Sequence, residues 1–222
     1  MFHFAGGNSY SFRFMTKYLT NFSVISLELP GRGNRVNEDF KKDLNSAAQD
    51  LYSQILGKLN NDNFVIYGHS MGALLGLKVS SMLEQINRCP SYLFVSGHEG
   101  PLRIKPKRKR YLLKDEELIE ELKNLKGIPL EVIGNEDFLS YYLPIFRADF
   151  EVTENDTNYE FLNKTPIFAM MGDIEKNSEK ITNWKIFTHS NFTFQTFKGG
   201  HFFIYDYPEE IANIIQDNYY KL

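Results

Sequence analysis

The stretch Asn63-Phe64-Val65-Ile66-Tyr67-Gly68-His69-Ser70-Met71-Gly72-Ala73-Leu74-Leu75-Gly76-Leu77 constrains the fold of this chain more than any other. Phe64–Tyr67 is a short continuous apolar run, the pattern of a buried parallel strand. Ala73–Leu83 reads as a helix. Between them Ser70 is flanked by Gly68 and Gly72. Bulky residues at those two positions would collide with the adjoining strand and helix, and Gly76, one turn on, keeps the helix close to the sheet. Such a turn sets a serine at a helix N-terminus, where N–H groups point outward. The Met71 N–H is then placed to hold an oxyanion. A glycine turn in some other α/β protein is the bland alternative. Strand before and helix after favour a nucleophile elbow.

The flanking sequence supplies a sheet to carry that turn. Residues 22–29 alternate, with Ile25, Leu27 and Leu29 on one face and Ser26 and Glu28 on the other, and Pro30-Gly31 ends the run. Apolar positions Leu44, Ala47, Ala48, Leu51, Ile55 and Leu59 give residues 43–59 a helical stripe. Tyr92–Val95, Pro166–Met171 and Asn191–Phe197 read as further strands. Pro208 opens a last helix, with Glu209 and Glu210 in its first turn. Alternating strand and helix predicts a doubly wound, mostly parallel α/β sheet. Residues 98–164 break the rhythm. They begin with the basic run 105–110 and continue with helical patterns over Lys114–Lys126 and around Phe138–Phe150. The organisation expected is a core over 1–97 and 165–222, with 98–164 inserted as a helical lid.

A serine nucleophile needs a base and a group to orient it. The elbow motif predicts the chain order serine, acid, histidine. His201 fits, after Gly199-Gly200 and before the last helix. His69 faces away from the serine by alternation and is read as packing; His98 is a weaker candidate base. The acid belongs just past a core strand. Asp173 follows Gly172 directly and is the first choice, with Glu175 the alternative, since either carboxylate could orient an imidazole from this loop. A second oxyanion donor is expected from the loop after an early strand. Phe2-His3-Phe4 followed by Ala5-Gly6-Gly7 fits, with the Ala5 N–H as donor.

Composition excludes several other classes. The chain has 222 residues, 42% of them hydrophobic, with 19 Phe and 13 Tyr, so it can build a real core. A net charge of −3 gives no reason to expect nucleic acid or an anionic membrane as partner. One cysteine, Cys89, suits a reducing compartment. No segment reaches the roughly 18–20 apolar residues of a membrane span. No signal peptide is read at Met1–Gly7, so a soluble cytoplasmic protein is expected.

Taken together, Phe4-Ala5-Gly6-Gly7, Leu29-Pro30-Gly31-Arg32-Gly33-x-Arg35, Gly68-His69-Ser70-Met71-Gly72 and Gly199-Gly200-His201-Phe202 resemble the type II (external) thioesterases, which act beside nonribosomal peptide and polyketide synthetases. Leu113–Leu118, Gly127-Ile128-Pro129, Leu143–Phe150 and Trp184 are similar to the same family's lid and acid region. The resemblance spans nearly the whole chain. It implies an α/β-hydrolase fold with a mobile helical lid and no metal or organic cofactor. It also implies Ser70 as nucleophile, His201 as base, Asp173 as acid, and Ala5 and Met71 as oxyanion donors. The implied substrates are acyl groups on the phosphopantetheine arm of a carrier protein, met by a monomer. Two departures are local. His3-Phe4 stands where Pro-Tyr is usual. The acid loop reads Gly172-Asp173-Ile174-Glu175-Lys176 in place of Gly-Asp-x-Asp-Pro. Counting back from Trp184 and His201 favours Asp173; counting on from Gly172 favours Glu175. The basic run at 105–110 could dock an acidic carrier, though alternating charge blocks more often solvate an exposed helix. Arg32 and Arg35 are expected to stabilise their own loop. An esterase of small free esters and a catalytically dead carrier binder are the competing readings.

Overall fold

The computed structural model describes residues 1–59, 63–101, 108–125, 135–155 and 163–220. Four parallel strands form its sheet in the order β1 (Val65–His69), β2 (Tyr92–Ser96), β3 (Ile167–Gly172) and β4 (Phe192–Phe197). Phe2 adds a parallel bridge to Gly68 on one side and to Leu27 on the other, extending the sheet beyond β1. Helices α1 (Leu44–Leu56), α2 (Met71–Gln85) and α5 (Pro208–Tyr219) flank it. Between β2 and β3 lie α3 (Asp115–Leu125) and α4 (Glu136–Asn155). The expected helix ending at Lys126 and the Gly127-Ile128-Pro129 motif run outside the described residues, as do positions 105–107 of the basic run.

Burial explains why these segments take these forms. All residues of β2 and β3 are buried, as sheets covered on both faces require. One face packs Leu93, Val95, Ile167, Ala169 and Met171 against α1 and α2. The other packs Tyr67, Phe94, Phe168 and Met170 against α5. The chain enters α1 through Asp43, whose carboxylate accepts the Ser46 N–H at 2.8 Å. Among the described residues no helix is long and apolar enough to cross a membrane.

Residues 22–29 do not form the regular strand their alternation predicts. Only Leu27 forms a bridge, to Phe2, its N–H donating to the Met1 carbonyl at 3.1 Å, while the Met1 amino group donates to the Ile25 carbonyl at 2.6 Å. Glu28, expected on the polar face, is buried. Its carboxylate accepts from the Ser9 N–H, the Ser9 hydroxyl and the Asn34 N–H, at 3.0, 3.1 and 3.0 Å. Arg35 ties the same loop to α1 through Asp50 and also pairs with Glu38.

His3 is buried, donating from Nδ1 to the Phe4 carbonyl at 2.9 Å and accepting the Leu29 N–H at Nε2, 3.4 Å away. Burial, reinforced by the nearby Arg32 charge, pushes its pKa down to about 4. The unfolded chain therefore takes up a proton near 6.5 that the folded protein refuses until about 4. The His3 contribution to stability is therefore full above pH 6.5 and is lost as the pH falls through that window. His3→Gln should flatten the decline by up to about 1.4 kcal/mol per pH unit in urea titrations at stepped pH. An unchanged slope would show that His3 is charged in the fold.

Candidate active site

Ser70 joins β1 to α2 with φ 56° and ψ −114°, a conformation non-glycine residues rarely adopt. The two glycines make it possible. A Cβ on Gly68 would lie 2.1 Å from the Gly72 carbonyl oxygen, and one on Gly72 would lie 2.1 Å from that of Phe2. At Gly76 a Cβ would sit 3.0 Å from Leu93 Cδ1. The Ser70 N–H donates to the Ser96 carbonyl at 2.7 Å, anchoring the elbow to β2. As the first residue of α2, Met71 has no carbonyl within the helix to receive its N–H.

The candidate second donor stands on a tight turn. The Gly7 N–H donates to the Phe4 carbonyl at 2.9 Å, and Gly6 has φ +76°. This is the geometry of a type II turn with Ala5 at its second position. Ala5, Ser70, Met71, His98, Glu175 and His201 line one cavity of about 1070 Å³, together with Phe146, Phe150 and Phe202.

His201 follows β4 on the Gly199-Gly200 turn, and its Nδ1 donates to Glu175 Oε1 at 2.5 Å. With the Nδ1 proton on that bond, Nε2 is the nitrogen free to take a proton from a neighbour. Asp173, the first choice from sequence, is not at the histidine. Its exposed side chain accepts the Gly199 N–H at 2.9 Å, and its own N–H donates to the Phe197 carbonyl at 2.7 Å. The reason is the turn after β3: the Glu175 N–H donates back to the Gly172 carbonyl at 3.2 Å, bringing residue 175 round to the imidazole. Asp173 instead closes the β3 loop onto the histidine loop. A Cβ at Gly172 would meet the Gly199 carbonyl oxygen at 2.3 Å, which keeps those loops together.

The other histidines have different surroundings. His69 is fully buried, with Nδ1 2.8 Å from the Ser96 hydroxyl, itself 2.8 Å from the Tyr67 hydroxyl. Burial, then the neighbouring His201 and His98, hold it well below the usual imidazole range. His98 Nδ1 accepts the Gly100 N–H at 3.1 Å, and its carbonyl takes the Trp184 indole N–H at 2.8 Å. Burial lowers its pKa, and among the described residues no carboxylate orients its ring.

A family model described as a thioesterase domain matches residues 1–219. The chain belongs to the thioesterase family. Linear gramicidin dehydrogenase LgrE of Brevibacillus parabrevis is 31% identical to it, over 97% of this chain and 84% of that protein. Gramicidin S biosynthesis protein GrsT of Aneurinibacillus migulanus is also 31% identical, over 96% and 84%. The type II thioesterase BorB of the borrelidin cluster superposes with a TM-score of 0.89 at 28% identity, covering 98% of this chain and 90% of that one. The fold is that of the α/β hydrolases, and the thioesterase is a hydrolase of that type.

Two features of this thioesterase escaped the sequence. The Tyr67–Ser96–His69 chain of polar contacts joins two strands, and nothing local announces it. Arg32, expected to serve its own loop, reaches α4 and pairs with Asp149 at 2.6 Å. An aspartate amid Ile145, Phe146, Ala148, Phe150 and Val152 was the available signal. Glu175→Gln should lower kcat by on the order of 10⁴-fold, the scale of losing an orienting carboxylate. Asp173→Asn keeps an oxygen for the Gly199 N–H and should stay within about tenfold of wild type. Steady-state kinetics with both variants checks the pairing, and the reverse ranking would return the acid role to Asp173.

Proposed function

We propose that this thioesterase hydrolyses acyl or aminoacyl thioesters from the phosphopantetheine arm of carrier proteins, clearing blocked carriers in nonribosomal peptide or polyketide synthesis. The observation that carries the reading is one cavity holding a strained serine, a histidine bonded to a carboxylate, and a turn able to present the Ala5 N–H. His201 takes the Ser70 proton as the hydroxyl attacks the thioester carbonyl. Glu175 holds the imidazole in the tautomer that accepts at Nε2 and stabilises the imidazolium. The N–H groups of Ala5 and Met71 receive the oxyanion. The thiol leaves with the proton, water attacks the acyl-enzyme, and His201 acts again as base.

BorB is a type II thioesterase of a biosynthetic cluster and GrsT a gramicidin S biosynthesis protein, which supports the same substrate class here. LgrE carries a dehydrogenase name. In this chain the turn after β1 is Gly-x-Ser-x-Gly, and no Gly-x-Gly-x-x-Gly occurs anywhere in the sequence, so the reading follows the serine. Residues 98–164 would act as the lid over the cavity. Arg108 pairs with Glu121 at 2.8 Å, and Arg110 with the buried Glu154 at 2.5 Å, which favours internally balanced charge over a carrier-docking patch. A cytoplasmic monomer is the form proposed.

Intact-mass spectrometry of an acyl-loaded carrier should show wild type restoring the holo mass and Ser70→Ala leaving the load in place, with the carrier preferred over the matching p-nitrophenyl ester. Cleavage of the ester alone would favour a general esterase. Ala5→Pro tests the second donor. Proline fits the second position of a type II turn, removes the N–H and sets its ring Cδ where that hydrogen pointed. It should cost on the order of 10²–10³ in kcat with the melting temperature kept.

A further inference from the structure

The buried ion pair of Arg32 and Asp149 has no part in the chemistry above. Desolvation offsets much of the attraction in such a pair, so stability alone is a weak reason for it. Its neighbours give a stronger one. Arg32 Nη1 meets Asp149 Oδ2 at 2.6 Å and Nη2 meets Oδ1 at 2.7 Å, a two-pronged fork. The same Oδ2 accepts the Gly6 N–H at 2.8 Å, and Arg32 Nη1 also donates to the Gly7 carbonyl at 3.3 Å. Both ions therefore grip the Ala5–Gly6–Gly7 turn. From the other side the Phe4 carbonyl accepts the Gly7 N–H and the His3 Nδ1–H, each at 2.9 Å. In a trans peptide the oxygen and the N–H point in opposite directions. A Phe4 oxygen held inside the turn therefore aims the Ala5 N–H out of it.

Asp149 lies on α4, which is itself seated on the core. Val152 belongs to the main hydrophobic cluster, and Ile145 and Ala148 are buried. A Cβ on Gly6 would come within 2.2 Å of the Phe146 ring, so the turn packs directly under α4. The buried residues of α3, Leu118 and Leu122, belong instead to a satellite cluster with Leu143, Phe146 and Phe150.

We propose that Asp149, held by Arg32, is a positioning residue that fixes the oxyanion turn from α4, so the oxyanion hole is complete only while α4 stays seated. The inference rests on the reading of Ala5 as an oxyanion donor.

The test uses Asp149→Asn and the double variant R32M/D149L. An asparagine offers one oxygen to three donors, so Gly6 or Arg32 must lose its acceptor. The double variant removes both charges at similar volume. Measured are kcat and KM on an acyl carrier, the melting temperature, and affinity for an alkyl trifluoromethyl ketone, whose Ser70 adduct carries an oxyanion. The expected result is a loss in kcat on the order of 10²-fold, the scale of a misplaced reacting geometry. Ketone affinity should fall by the same factor while KM stays within about threefold. Unchanged kcat and ketone affinity in a folded variant overturns the proposal, and so does a raised KM with kcat intact. If the double variant does not fold, Asp149→Asn carries the same test. Loss in Ala5→Pro with Asp149→Asn unaffected overturns the positioning role alone. Full activity in Ala5→Pro overturns the donor reading beneath it.

Discussion

The backbone of Phe2 passes so close under the first turn of α2 that a Cβ on residue 72 would lie 2.1 Å from its carbonyl oxygen. Much of the site depends on that approach. It admits only glycine at 72, and the matching contact admits only glycine at 68. Ser70 is left to absorb the change of direction with a positive φ, at a cost of roughly 1–3 kcal/mol that the surrounding packing must offset. The same approach brings Phe2 into the sheet beside Gly68. It also fixes where the chain leaves the sheet, and therefore where the Ala5–Gly6 turn stands relative to the serine.

The other half of the site is built at the far strands by the same kind of crowding. Gly172 ends β3 against the Gly199–Gly200 turn, and the backbone bonds of Asp173 and Ile174 close the two loops onto each other. Glu175 and His201 thus come from loops tied together before any catalytic contact is made. Both halves open at the carboxyl ends of parallel strands, where open α/β sheets place their ligands. Helix α4 adds the third element through Asp149, which serves one backbone N–H and one guanidinium at once.

What was legible in the sequence was local. The elbow could be read because its steric demand falls within five residues. Strands β1 to β3 could be read because buried strands are continuous apolar runs, and the more exposed β4 by its alternation. Residues 22–29 misled because Glu28 keeps a strand-like alternation while its carboxylate is buried among loop donors. The sequence favoured Asp173 over Glu175, and the structure puts Glu175 at the histidine, because two residues of turn geometry separate a solvent-facing carboxylate from one aimed at the imidazole. Arg32 and Asp149 lie 117 residues apart, and no periodicity links them. A buried charge in an apolar helical stretch says that a partner exists without saying where.

A crystal structure of the trifluoromethyl ketone adduct would test the central claim most directly, that a serine elbow and a turn held by α4 form one oxyanion hole. The account predicts a covalent bond to Ser70 Oγ and the adduct oxygen at about 2.7–3.1 Å from the N–H groups of Ala5 and Met71. The Gly6 N–H should still rest on Asp149. An adduct oxygen turned to solvent, or an α4 displaced with Gly6 released while the hole stays intact, would contradict it.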